Sequence, residues 1–216
     1  MSRITIIGGH GKVALRLAPL LVSRGEEVTS VIRNPDHAEE VAATGATPQV
    51  ADIETLDRAG FAELFSGVDA VVWSAGAGGG SPERTYAVDR DAATTSMDAA
   101  ADAGVPRYVM VSYFGAGPDH GVPQDDAFFP YADAKSAADA HLEQSSLDWT
   151  ILRPSRLTLE DGTGRIESGP GVQGGEVSRD DVAAVAAAVL ADNAAIGRII
   201  EFNDGDTPIE DVVAGR

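Results

Sequence analysis

A glycine turn sits ten residues into this chain, and it is the feature that most restricts the fold. Gly8-Gly9-His10-Gly11-Lys12-Val13-Ala14 follows a short apolar run and opens a stretch with helical spacing. In a strand, turn and helix of this kind, Gly8 permits the tight turn and Gly11 lets the backbone come close to a pyrophosphate. Ala14 is small enough for the helix to pack on the sheet. The start of the helix then offers unpaired N–H groups and a partial positive charge to phosphate oxygens. A strand-to-helix turn that merely needs glycine is the bland alternative, and its position near residue 1 argues against it.

The rest of the chain repeats this grammar. Short β-branched runs are expected as strands at residues 4–7, 28–32, 47–51, 69–73, 107–111, 149–152 and 198–202. Helices are expected between them at 12–24, 35–43, 56–65, 84–103, 131–144 and 179–190. Such alternation predicts an α/β fold: one Rossmann-type domain over 1–216 with a doubly wound parallel sheet of order 3-2-1-4-5-6. A seventh strand is expected at the edge, with every parallel pair joined by a helix. Residues 114–130 and the glycine-rich 161–175 are expected as loops, and 154–216 as a small part facing a substrate.

Charge and composition narrow the partners. Lys and Arg total 16 against 34 Asp and Glu, and the formal net charge of -18 repels nucleic acid and anionic membranes at long range. With no cysteine, disulfides, thiol nucleophiles and thiolate metal sites are excluded. His10, His37, His120 and His141 show no metal-ligand spacing, so no metal is expected. Residues 182–191 are too short to span a bilayer, and Met1-Ser2-Arg3 is no secretory signal; a cytoplasmic protein is the expectation.

About twenty residues past the glycines, at the end of the second strand, Arg33 stands where an acid commonly accepts from adenine ribose hydroxyls. A guanidinium there favours a 2′-phosphate through charge-assisted bonds, so NADP(H) is expected in preference to NAD(H). Asp52 and Ile53 follow the third strand where the adenine edge would lie, although Asp52 is equally placed to cap a helix.

The sequence resembles the atypical short-chain dehydrogenase/reductase group, near the NAD(P)H-binding and NmrA-like proteins and the flavin and biliverdin reductase relatives. The resemblance runs over nearly the whole chain. It rests on the glycine turn, Arg33, Asp52, Ser74-Ala75-Gly76, Tyr131-Ala-Asp-Ala-Lys135, Leu152-Arg153-Pro154 and Phe202-Asn203-Asp204-Gly205. The resemblance implies cofactor contacts from Gly8, His10, Gly11, Lys12, Val13, Ser74, Ala75, Gly76, Lys135 and Pro154.

Tyr131 and Lys135 lie four apart at a helix start, so both project from one face. An ammonium beside a phenol favours the phenolate and lowers a reference pKa of about 10. The chain has only two lysines, Lys12 in the turn and Lys135 beside Tyr131. The resemblance adds that Lys135 holds nicotinamide ribose hydroxyls, and that Ser112, at the end of strand five, bonds a substrate oxygen. The expected activity is an NADPH-dependent reduction of a small carbonyl, quinone or flavin-like substrate with Tyr131 as proton donor. A non-catalytic NADP(H)-sensing regulator is the alternative. A nucleotide-sugar epimerase is disfavoured, because only about 60 residues follow Pro154. Monomer and homodimer both remain open.

Overall fold

The structure, a computed structural model, describes residues 1–78 and 81–216. Its main sheet begins with β1 (Arg3–Ile7), β2 (Glu27–Ile32), β3 (Thr47–Val50), β4 (Ala70–Trp73), β5 (Arg107–Val111) and β6 (Asp148–Pro154). These six lie side by side in the order 3-2-1-4-5-6, all parallel. The expected seventh strand is β10 (Arg198–Asp204), parallel to β6.

Apart from the mostly exposed edge strand β3, the strands are rich in buried apolar residues because both faces are covered, and their two-residue period sorts side chains between two cores. Ile4, Ile6, Val28, Val72, Val109 and Leu152 enter one core, under α1 (Ala14–Ser23) and α7 (Arg179–Ala191). Ile7, Val31, Val71, Trp73, Met110 and Ile151 enter the other. That second core lies under α3 (Arg58–Leu64), α5 (Ala93–Asp102) and α6 (Phe129–Glu143). The remaining short helices are α2 (Ala38–Ala43), α4 (Pro82–Thr85) and α8 (Ile209–Val213).

Three expectations need correction. The helix expected over 84–103 starts at Pro82, capped by Ser81, and is not uniform. Tyr86–Ala92 forms a π-helical stretch between α4 and α5, and Asp89 lies in it, fully buried. A π stretch adds a residue to the turn, and such turns gather at functional sites.

The glycine-rich 161–175 is not all loop. It contains β8 (Arg165–Ser168), which pairs antiparallel with β10 and with β11 (Thr207–Pro208) and extends the sheet to nine strands. Only Ile166 of this strand is buried, so it has little apolar signature of its own, and its pairing comes from distant β10. Asp181 ties the approach to β8 down by accepting the N–H groups of Thr163 and Gly164, both at 2.8 Å.

Finally, β7 (Arg156–Thr158) and β9 (Glu176–Ser178) form a separate parallel pair whose connection carries β8 rather than a helix. Within 154–216, β8, β10, β11 and α7 thus complete the main sheet and its helix layer. No helix among the described residues is long and apolar enough to cross a membrane.

Candidate active site

The chain turns one way from β1 to β2 and the other way from β3 to β4, leaving a crevice at the C-terminal ends of β1 and β4. Gly8 has φ +82°, and a Cβ there would stand 2.6 Å from the Ala75 Cα. A Cβ on Gly9 would stand 2.5 Å from that of Ser30. The turn is closed by Gly11 N–H donating to the Gly8 carbonyl and Gly9 N–H donating to that of Val31, both at 2.8 Å.

Helix α1 then starts with no side-chain cap and no acid in its first turn. Among the described residues, the N–H groups of Lys12, Val13 and Ala14 find no backbone carbonyl, whereas Leu15 N–H reaches the Gly11 carbonyl at 2.9 Å. Uncapped donors behind a glycine turn fit a pyrophosphate.

On one side of the turn lies a cleft of about 320 Å³ lined by Gly8, His10, Arg33, Ile53, Glu54 and Arg84, among others. Its volume is in the range of small-ligand pockets. On the other side a second cleft is lined by Lys12, Val13, Ser112, Tyr131, Lys135 and Arg179. Gly11, Ser74, Ala75 and Gly76 line both, so the two form one groove over the glycine turn.

The groove therefore gathers most of the residues singled out in the sequence, with two exceptions. Pro154 is buried in β6, its carbonyl accepting from Phe114 N–H at 2.9 Å, and it lines neither cleft. Asp52 is exposed and lines neither cleft; its carboxylate accepts from Glu54 N–H at 3.2 Å within a turn. The helix-capping role also open to Asp52 belongs to Asp57, which accepts from Gly60 N–H at the start of α3. His10 lines the cleft beside His37, its ring stacked on that of His37 at 3.5 Å and its Nε2 2.7 Å from Glu40.

Tyr131 and Lys135 do come from one face of α6, but the electrostatics differ from the sequence expectation. The buried Lys135 ammonium donates to the Val111 carbonyl at 2.7 Å and lies 4.0 Å from the buried Asp89 carboxylate. Burial pushes the half-buried Tyr131 phenol above its usual value, and the Asp89 charge pushes it further, so the phenol keeps its proton. Burial likewise pulls Lys135 down, opposed by Asp89 and Asp139.

Ser112 donates to Asp139 at 2.9 Å, and Arg153 Nε donates to the same carboxylate oxygen at 3.0 Å. Among the described residues, Asp89 and Asp139 each keep one buried oxygen without a hydrogen-bond partner. Burial raises both carboxyls, while Lys135 pulls each of them down.

Sequence reasoning missed Asp89 and Asp139, which lie outside the familiar spacing. Asp89 follows the apolar Val88 and Asp139 lies four residues past Lys135 on a face that also holds Ser136, and neither placement marks a site by itself. It also missed Glu54 and Arg84.

The family model for NAD(P)H-binding proteins matches residues 8–193, from the glycine turn to two residues past the end of α7. The chain belongs to this NAD(P)H-binding family. Members of the curated set similar to it include the uncharacterized sugar epimerase YhfK of Bacillus subtilis, 33% identical, with 98% of each chain covered. Among solved structures, a putative NAD-dependent epimerase/dehydratase from Bacillus halodurans is 33% identical and superimposes with a TM-score of 0.92 over all of both chains. ChuY, an anaerobillin reductase from Escherichia coli O157:H7, is 26% identical with a TM-score of 0.79, covering 95% of this chain and 98% of that one.

Two of these relatives carry epimerase names at this same length, so the shortness of the chain after Pro154 does not separate the family from proteins so named. The family is an oxidoreductase-like group that binds a nicotinamide dinucleotide, and its fold is the Rossmann-like one described above.

Proposed function

We propose that the protein is an NADP(H)-dependent reductase of a small carbonyl, quinone or flavin-like acceptor, with Tyr131 as proton donor where the acceptor is a carbonyl. One observation carries the reading: the glycine cradle and the Tyr131-Lys135-Ser112 group line a single groove at the switch point of the sheet. A bound nicotinamide would supply hydride.

The chain's own residues would supply the rest. Free N–H groups at Lys12, Val13 and Ala14 would hold the pyrophosphate, and Arg33 a 2′-phosphate. Ile53 and the backbone at Ala75 and Gly76 would bound the adenosine and the linking ribose. Lys135 spends one donor on the Val111 carbonyl and another on Met110 Sδ at 3.7 Å, which leaves a third for a ribose hydroxyl. Tyr131 holds its proton at neutral pH, which suits donation to an oxygen that gains charge as hydride arrives. Ser112 has one hydroxyl proton, given to Asp139, and would bond a substrate oxygen as donor only by leaving that partner.

A specific feature favours the variant in which no tyrosine acid is used. Tyr113, Phe128 and Tyr131 form an aromatic cluster with ring centroids 5.2 to 5.5 Å apart, and the half-exposed Phe128 offers a planar acceptor a wall. Tyr131→Phe separates the two: carbonyl reduction should fall at least about 100-fold while flavin reduction and NADPH affinity hold. Equal turnover with every acceptor would remove Tyr131 from the chemistry. If quinones, flavins and aldehydes all leave NADPH unconsumed, the reductase reading fails in favour of a sensor that only binds the dinucleotide.

A further inference from the structure

At the adenosine end of the groove, one oxygen of Glu54 accepts from Arg33 Nη1 at 2.8 Å, from Arg84 Nη2 at 2.9 Å and from Arg84 Nε at 3.0 Å. Both guanidiniums line the cleft and remain part-exposed, while Glu54 is the most covered of the three. Arg33 comes from the end of β2, Glu54 from the turn after β3, and Arg84 from α4. Three separate segments thus converge on one anionic oxygen.

Two guanidiniums held this close repel one another unless an anion lies between them. A carboxylate oxygen taking three charge-assisted N–H bonds sits where a phosphoryl group carrying nearly two charges would satisfy the same donors better. Arg84 is well placed for this, since its remaining Nη1 is anchored on the Ala77 carbonyl and its plane is fixed. Glu54 lies on a turn held by Asp52 and can swing outward without unwinding a helix or strand.

Resting on the dinucleotide reading above, we infer that Arg84 is the second cation of the 2′-phosphate subsite and that Glu54 is its built-in competitor. In the free protein Glu54 fills the place of the phosphate and holds the two arginines together. A 2′-phosphate must displace it, whereas a plain ribose hydroxyl can leave it in place. Glu54 therefore narrows the preference for NADP(H) over NAD(H) that Arg33 and Arg84 create.

The test compares adenosine 2′,5′-bisphosphate with adenosine 5′-monophosphate by calorimetry, and NADPH with NADH by fluorescence, on the full chain. Glu54→Gln should raise the bisphosphate-to-monophosphate affinity ratio about tenfold, the effect of removing one opposing charge at a part-covered site. Arg84→Gln should lower that ratio about tenfold with monophosphate affinity unchanged, and Arg84→Lys should fall between, with circular dichroism confirming the fold.

A ratio unmoved by both changes overturns the inference while leaving dinucleotide binding intact. So does a parallel loss of both nucleotides in Arg84→Gln, which would make Arg84 a strap on Ala77 only. If wild-type protein binds neither nucleotide nor either dinucleotide, the dinucleotide reading falls and takes this inference with it.

Discussion

The Lys135 ammonium lies 4.0 Å from the Asp89 carboxylate, with both side chains buried, so the lysine that shares a cleft with Tyr131 has a counter-charge of its own. Asp89 reaches the site because the helix before β5 is π-helical over Tyr86–Ala92. Its other oxygen accepts from Ala77 N–H at 2.9 Å, joining the end of β4 to the same charge pair.

Replacing Asp89 by Asn keeps an acceptor for Ala77 but leaves Lys135 without its nearest counter-charge. Breaking a buried pair by removing one member costs about 3 kcal/mol or more. Urea unfolding of Asp89→Asn at neutral pH should show a loss of that order. Asp89→Asn combined with Lys135→Met should recover much of it. A single variant as stable as the parent would mean that the contact carries no net energy.

The four tyrosines should report on the same burial. Tyr86, Tyr108, Tyr113 and Tyr131 are all pushed above the ordinary phenol value, in each case chiefly by burial. Above a pH of about 10 the unfolded chain loses phenolic protons that the folded chain keeps. The stability they contribute is thus full below about pH 10 and is lost as pH climbs through their folded values.

Lys135, pulled down by burial, has the opposite sign: its contribution grows with pH until the unfolded ammonium titrates, at about 10.4. Ultraviolet absorbance should show no phenolate below about pH 10, and Tyr131→Phe should lessen the alkaline loss. A phenolate signal near neutral pH would instead restore Lys135 as an activator of Tyr131.

Ser112 is expected to matter first to stability. Its hydroxyl bonds a buried carboxylate that Arg153 also holds, and a hydrogen bond to a charged group is worth about 1.5–3 kcal/mol. Ser112→Ala should lower the denaturation midpoint accordingly. A rise in KM with unchanged stability would place its main contact on the substrate side.

The order of the first six strands was legible because five of them carry buried β-branched runs and the stretches between them read as helices, whereas β3, the exposed Thr47-Pro48-Gln49-Val50, shows mainly through its place between two helices. The glycine turn was legible because close backbone approach at Gly8 and Gly9 leaves no room for a side chain. What escaped the sequence depends on contacts between distant segments. The stretch around Tyr86-Ala87-Val88-Asp89 has the composition of an ordinary helix, and nothing local announces the extra residue per turn that buries Asp89. Glu54 looks like a surface acid until Arg33 and Arg84, from two other segments, are brought onto it. Arg165-Ile166-Glu167-Ser168 has one apolar residue, so its pairing with β10 is written in β10 and the returning chain rather than in itself.

The glycines of the turn should separate folding from binding. At Gly8 a methyl group meets backbone atoms of Ala75 at 2.6 and 2.7 Å, and φ is +82°, so Gly8→Ala carries both a clash and an unfavourable conformation. At Gly9 the clash is with Ser30 of β2, at 2.5 Å. Each should cost about 2 kcal/mol or more, since the contacted atoms are backbone just past β4 in one case and the buried Ser30 inside β2 in the other. Gly11 differs: a methyl group there meets the Gly8 carbonyl at 3.0 Å and the Ser74 carbonyl at 3.6 Å, a tight but adjustable fit. Gly11 also lines both halves of the groove, where a pyrophosphate needs bare backbone. Thermal unfolding should therefore rank Gly11→Ala nearest the parent, while titration with NADPH should show an affinity loss of about tenfold or more. If Gly11→Ala binds as tightly as the parent, the phosphates do not rest on this turn.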